Sequence, residues 1–197
     1  MTPSRPGYGN RVRIIGGKWR SRRILFPDVL GLRPTGDRLR ETLFNWLAPH
    51  LPGSVCLDAF AGSGALGFEA LSRGAGQCIL LEKHDKAYAR LQLNCDLLQA
   101  GNARVIHDDC QRWLATPKPP AAVSEFDIVF LDPPFDKPVM ASTCTLLEAG
   151  HWLAETALIY VEMAADTDIT LPANWQLIRQ TRIGDVDARL YLRHSPS

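Results

Sequence analysis

Residues 55–67 read Val55-Cys56-Leu57-Asp58-Ala59-Phe60-Ala61-Gly62-Ser63-Gly64-Ala65-Leu66-Gly67. An apolar run ends in a carboxylate and passes through three glycines, spaced G-x-G-x-x-G, into a helical pattern. Such glycines let a strand turn tightly into a helix and let a ligand approach the backbone. Working outward, further apolar strand candidates are Cys78–Glu82, Arg104–His107, Asp127–Leu131 and Ala157–Glu162. Helical patterns lie between them, near Ala65–Arg73, Asp85–Gln99, Cys110–Leu114 and Pro138–Leu153. This alternation predicts an α/β fold, a parallel sheet covered on both faces. Beyond Glu162, Trp175–Arg182 and Ala188–Arg193 flank Gly184-Asp185 and predict an antiparallel hairpin closing the sheet edge. Thr116–Ala122 reads as an exposed loop.

Composition narrows the class. The 197 residues are 46% hydrophobic and 22% charged, enough to bury a core without disulfide or metal staples. No apolar stretch approaches the roughly 18 residues of a membrane span, and the N-terminus lacks a signal-like apolar run. A cytoplasmic protein away from membranes is expected. The five cysteines (Cys56, Cys78, Cys95, Cys110, Cys144) are scattered, and three sit in apolar runs as small core residues. The five histidines are as dispersed, so no metal site is expected.

Charge is segregated. Residues 1–40 hold ten Lys/Arg against two Asp, a balance of +8, whereas the rest holds 12 basic and 19 acidic residues, a balance of −7. A basic arm on an acidic body is the footprint of a polyanion partner, although a charge run by itself is more often a solvated terminus. The arm has its own pattern. Arg11–Ile15 and Arg22–Phe26 flank Gly16-Gly17-Lys18-Trp19 as a small hairpin. Thr35 is expected to cap a helix with Leu39, Leu43, Phe44 and Leu47 on one face and Arg38, Arg40 and Glu41 on others. The division expected is an extension over residues 1–50 and a main domain over 51–197.

The glycine pattern alone also fits a nicotinamide dehydrogenase, with Glu82 as the ribose-binding acid, or a purely structural turn. Asp58 argues otherwise, because a carboxylate at the mouth of the loop repels a pyrophosphate. It suits a ligand with an ammonium group, such as S-adenosylmethionine, whose ribose Glu82 would hold. Asp109 is placed to accept from an adenine amine or, equally, to cap the helix that follows; Asp108 is the weaker candidate.

Phe130-Leu131-Asp132-Pro133-Pro134-Phe135 follows the fourth strand, on the ligand-binding edge of an open α/β sheet. The prolines stiffen the segment and remove amide donors. Asp132 and the Pro133 carbonyl can both accept from one –NH₂ group, and Phe135 offers a face for stacking on a base. Two such acceptors bias a delocalised exocyclic amine towards attack on a methyl group. A plain strand-ending turn is the alternative.

Together, Leu57–Gly64, the D-P-P-F segment, Arg13-Ile14-Ile15-Gly16-Gly17-Lys18-Trp19-Arg20, Leu32-Arg33-Pro34-Thr35 and Arg40-Glu41-Thr42-Leu43-Phe44-Asn45-Trp46-Leu47 resemble the RsmD family. These are bacterial S-adenosylmethionine-dependent enzymes that methylate the N2 amine of a guanine in 16S ribosomal RNA. The resemblance implies a Rossmann-like seven-stranded methyltransferase sheet, mostly parallel with an antiparallel last strand, and a small N-terminal hairpin/helix extension. It implies catalysis by Asp132, Pro133 and Phe135. Cofactor contacts are expected from Asp58, Phe60, Ala61, Gly62, Ser63, Gly64, Glu82, Lys83, Asp109 and Cys110. RNA contacts are expected from Arg13, Lys18, Arg20, Arg22, Arg23, Arg33 and Arg38, with a monomer acting on a small-subunit ribosomal particle. The family carries Leu where this chain has Ala59. Competing readings are a DNA adenine-N6 or cytosine-N4 methyltransferase, which shares D-P-P-F, and a non-catalytic rRNA-binding assembly factor.

Overall fold

The computed structural model describes residues 10–29, 34–116, 125–134 and 139–195. Strands β1 (Asn10–Arg13) and β2 (Arg23–Phe26) pair antiparallel as a two-stranded ribbon, and helix α1 (Asp37–Leu47) follows. The chain then alternates through β3 (Val55–Asp58), α2 (Ala65–Ser72), β4 (Gln77–Glu82), α3 (Asp85–Leu98) and β5 (Ala103–His107). It continues through α4 (Cys110–Ala115), β6 (Phe126–Leu131), α5 (Met140–Ala149), β7 (Leu153–Ala164), β8 (Trp175–Ile183) and β9 (Val186–Arg193). The main sheet has seven strands in the order β5-β4-β3-β6-β7-β9-β8. All neighbouring pairs from β5 to β7 are parallel, and β9 runs antiparallel between β7 and β8.

Central strands covered on both faces must be apolar throughout, and they are. Cys56, Leu80, Ile128, Phe130 and Tyr160 point into one core; Leu57, Ile79, Val129, Ile159 and Val161 point into the other. The period of two along each strand therefore sorts residues between two buried layers and not between core and solvent.

The N-terminal ribbon belongs to the first of these cores. Val12, Ile14, Trp19, Ile24 and Phe26 are buried with Phe44, Phe68 and Leu91. It lies on α2, which explains why all eight residues of that helix, Glu69 and Ser72 included, are buried. The approach is close: Gly17 has φ +73°, and a Cβ there would lie 1.8 Å from the Ser72 carbonyl oxygen. Only glycine suits that contact. The Ser72 hydroxyl then donates to the Gly16 carbonyl at 2.5 Å and accepts from the Trp19 amide at 2.9 Å.

Several sequence expectations change. Thr35 is not the cap of α1; the N-cap is Gly36, without a side-chain cap bond. Arg40 does not face solvent but is fully buried. Its Nε donates to the Thr35 carbonyl (3.1 Å), and its Nη2 donates to the Arg13 carbonyl (2.9 Å) and to Asp37 Oδ1 (2.6 Å). The helix expected over 138–153 runs only from Met140 to Ala149, because Gly150 ends it and β7 already begins at Leu153. The expected loop at 116–122 lies, beyond Thr116, outside the described residues.

Glu69 holds the ribbon to the body. Its fully buried carboxylate accepts from the amides of Ile15 (2.7 Å) and Gly16 (2.8 Å), from Arg73 Nε (2.7 Å) and, at 3.4 Å, from Arg40 Nη1. Removing one partner of a buried ion pair leaves the others desolvated and unpaired, which typically costs about 3–5 kcal/mol. Glu69→Ala should lose stability of that order in urea unfolding, whereas breaking the exposed Arg182–Asp166 pair with Asp166→Ala should cost under ~1 kcal/mol.

Candidate active site at the strand ends

The chain enters the sheet at β3, winds outward to β5 and crosses back to β6, so the strand order reverses between β3 and β6. Ligands of open α/β sheets bind at the carboxyl ends of the strands beside such a reversal. Asp58 ends β3, Glu82 ends β4, Asp132 follows β6 and Glu162 lies near the end of β7. One edge thus gathers four carboxylates from four parallel strands.

The turn after β3 is built by hydrogen bonds. The Ala61 amide donates to the Leu81 carbonyl (2.9 Å), the Gly64 amide to the Ala61 carbonyl (2.6 Å), and the Gly62 amide to Glu82 Oε2 (2.8 Å). Glu82 Oε1 accepts from the His84 amide at 2.7 Å, so this side chain braces the loop against the end of β4. Gly62 and Gly64 have φ of +51° and +78°. A Cβ at Gly64 would also lie 2.5 Å from the Phe68 ring. Ser63 and Ala61 are buried, and Phe60 packs against the apolar layer beneath α4 and α5.

Asp58 is buried under this turn, and its Oδ2 accepts from the Gly67 amide at 2.9 Å. Burial pushes its carboxyl up to about 7; the Gly67 amide opposes the shift and the Glu82 charge adds to it. At the end of β5, Asp109 caps α4 by accepting from the Gln111 and Arg112 amides, and it meets Lys83 Nζ at 3.3 Å. Partial burial raises its pKa, but the Arg112 amide and Lys83 outweigh this and hold it below the usual range. Asp108 pairs with Arg112 at 2.5 Å. Cys110 is buried, and burial raises its thiol well above its usual value.

Asp132 is partly exposed at the mouth of the edge, Pro133 is buried and Pro134 exposed. Asp132 Oδ2 accepts from the Thr35 hydroxyl at 3.1 Å. Desolvation and then the Glu162 charge raise its carboxyl well above the usual range. Phe135 and Arg33 lie outside the described residues. Among the described residues, none of Asp58, Glu82, Asp132 and Glu162 is in an ion pair with Lys or Arg. A rim of uncompensated carboxylates around a glycine turn fits a cationic ligand better than a phosphate.

The expected RNA contacts lie on the ribbon and α1; Arg13 and Arg23 line a cleft together with Thr35, whose hydroxyl meets Asp132. Arg13, Lys18, Arg20, Arg22, Arg23 and Arg38 are all exposed. Arg13 and Arg23 are direct cross-strand partners, an arrangement that is unfavourable without a nearby anion; Asp37 reaches Arg13 at 3.2 Å. Lys18 lies over the Trp19 ring, and Arg22 donates to the Leu97 carbonyl. The structure adds Thr35, Tyr160 and Glu162 to the site. A glutamate closing an otherwise apolar strand run, Ala157–Val161, was the available signal.

The strand order and the acid-rimmed glycine turn are those of a Rossmann-type methyltransferase. A family model described as "Conserved hypothetical protein 95" matches residues 12–192. The chain belongs to this family, the RsmD family that its motifs resemble. It is 48% identical to ribosomal RNA small subunit methyltransferase D of Escherichia coli, over 98% of this chain and 95% of the relative. It is 44% identical to the Haemophilus influenzae protein of that name, over 94% of this chain and 96% of the relative. A solved structure from Escherichia coli superposes with a TM-score of 0.87 at 48% identity, covering 95% of this chain and 100% of the other. Among the described residues, no group of three or more ligating side chains could hold a metal, and no helix is long and apolar enough to cross a membrane.

Asp58 makes stability depend on pH. Its folded pKa, about 7, lies above the unsupported value of 3.8, so its contribution is full at low pH and is lost as pH rises through about 7. Asp58→Asn can keep the bond from Gly67 without that loss. Its thermal midpoint should match or trail that of the wild type near about pH 5 and exceed it by a few degrees near about pH 8.5.

Proposed function

We propose that this protein transfers a methyl group from S-adenosylmethionine to the exocyclic N2 amine of a guanine in 16S ribosomal RNA, acting as a cytoplasmic monomer on a small-subunit particle. The observation that carries this reading is Asp132-Pro133 at the strand-order reversal, beside an acid-rimmed glycine turn and with no cationic partner for Asp132 among the described residues. The names of the Escherichia coli and Haemophilus influenzae relatives support small-subunit ribosomal RNA as the substrate class, and the guanine N2 amine follows from the family that the motifs resemble.

Asp58, Phe60, Ala61, Gly62, Ser63, Gly64, Glu82, Lys83, Asp109 and Cys110 surround the cofactor position. The carboxylates suit its ammonium and ribose hydroxyls, and the cofactor, when bound, supplies a methyl group on an electrophilic sulfonium. Asp132 and the Pro133 carbonyl accept the two hydrogens of the target amine. They orient its lone pair and stabilise the positive charge that grows on nitrogen as the N–C bond forms and the S–C bond breaks. The methylated nitrogen then gives up one proton to solvent water at the open mouth of the site, which leaves the neutral methylamine. Phe135 stacks on the extruded base. The exposed arginines and lysine of the ribbon, with Arg38 and Arg33, hold RNA phosphates.

The test is methyl transfer from radiolabelled S-adenosylmethionine to small-subunit particles, 23S RNA or duplex DNA. Labelling of the particles supports the reading, labelling of DNA alone favours a DNA amino-methyltransferase, and labelling of none leaves a binding factor. Asp132→Ala should cut single-turnover rate by about 10²–10³ while changing cofactor affinity little, as measured by calorimetry. Replacing Arg20 and Arg23 by Gln should lower the slope of log RNA affinity against log salt by about 0.7–0.9 for each phosphate no longer neutralised. An unchanged slope would remove both residues from the interface.

A further inference from the structure

Three oxygen–oxygen contacts link the arm to the candidate active site. The Tyr160 hydroxyl lies 2.9 Å from Glu162 Oε2, the Thr35 hydroxyl 3.0 Å from the same oxygen, and the Thr35 hydroxyl 3.1 Å from Asp132 Oδ2. The two hydroxyls supply two hydrogens for three contacts, so either the Thr35 hydrogen is split between two carboxylates or a carboxyl supplies the third. Splitting it would hold two desolvated negative charges on one hydroxyl, whereas one proton shared between Asp132 and Glu162 through Thr35 relieves that repulsion, as neighbouring desolvated carboxyls commonly do.

We infer that Glu162 holds this proton and that Thr35 and Glu162 are positioning residues for methyl transfer, keeping Asp132 ionised with Oδ1 free for the target amine. This inference rests on the proposed reaction. Glu162 is buried (5% exposed), whereas Asp132 opens to the mouth where solvent and the target amine favour its charge. Glu162 donates to Thr35 Oγ1 while accepting from Tyr160, and Thr35 donates onward to Asp132 Oδ2. Desolvation raises both carboxyls, Asp132 further because the Glu162 charge adds to it; this retains one proton on the pair, and the open mouth at Asp132 is what places that proton on Glu162.

Among the described residues, the other groups around Glu162 do not supply a competing charge. Opposite it on β9 is Ala188, Tyr160 is its neighbour on β7, and the next carboxylate, Asp58 on β3, adds negative charge that favours keeping one proton on the Asp132–Glu162 pair. Thr35 is itself set by the arm, since Arg40 Nε binds its carbonyl. The segment that carries the RNA-facing arginines thus also completes the hydrogen bonding of the catalytic aspartate.

A glutamine carries no ionisable proton, and its amide nitrogen in place of Oε2 donates to Thr35 as the protonated glutamate does, while the Tyr160 hydroxyl must turn its own hydrogen away and accept instead. Glu162→Gln, measured against its own rate near neutral pH, should lose the fall in rate that wild type shows as alkali removes the shared proton. Thr35→Val should lower kcat by about 10–10²-fold with RNA KM and cofactor affinity nearly unchanged, and Thr35→Ser should restore it. In infrared spectra of the free protein near neutral pH, subtracting E162Q from wild type should leave the carbonyl band of one protonated carboxyl. The inference is overturned if that band is absent, if E162Q keeps the alkaline fall in rate, or if Thr35→Val turns over like wild type. The spectrum needs no substrate, so a protein that methylates nothing would sink the proposed reaction and leave this question still decided.

Discussion

The carboxylate of Glu69 is the constraint on which the rest of the arrangement depends. It sits on the middle of a helix with no exposed face and is fully desolvated. Such a charge is tolerable only if its lone pairs are filled, and two backbone amides of the ribbon and two arginines fill them. One of those arginines, Arg40, uses its remaining donors to bind the carbonyls of Arg13 and Thr35. Through these bonds, a helix packed against the sheet fixes both the ribbon and the segment that reaches Asp132.

The basic extension is therefore a seated element with two sides. Its inner side is apolar and shares a core with α1, α2 and α3, and its outer side carries the arginines. A rigidly seated ribbon holds those charges at fixed positions relative to the strand ends, with less conformational freedom to lose on binding than a mobile tail. Thr35 lies between the two functions, joined by its carbonyl to Arg40 and by its hydroxyl to the acids of the site.

The strand-end acids illustrate how environment divides one residue type into several roles. Asp109 is held low by helix amides and Lys83, and it remains a charged cap. Asp58 is raised by burial beneath the glycine turn. Asp132 and Glu162 are close enough that their protonation is a property of the pair. Backbone donors, burial and proximity make these distinctions, and residue identity does not.

The sequence by itself determined the parts governed by local periodicity and local chemistry. The apolar runs and the G-x-G-x-x-G turn placed β3 at Val55–Asp58 and the other parallel strands within a residue or two, apart from the longer β7. The glycines, Asp58, Glu82 and Asp132-Pro133 were legible because turn geometry and strand ends are short-range matters. The reading of Asp109 as a helix cap was legible for the same reason. Tertiary structure alone decided the fates of Thr35, Arg40, Glu69 and Glu162. Helical spacing put Arg40 away from the apolar stripe, and nothing nearby in the chain showed that a buried carboxylate 29 residues later would receive it. Thr35 before a helix reads as a cap until the ends of β6 and β7, 97 and 127 residues on, present their acids to it. Such contacts are set by which strands lie side by side and by the requirement that each buried polar atom find a partner, a condition that no local window of sequence contains.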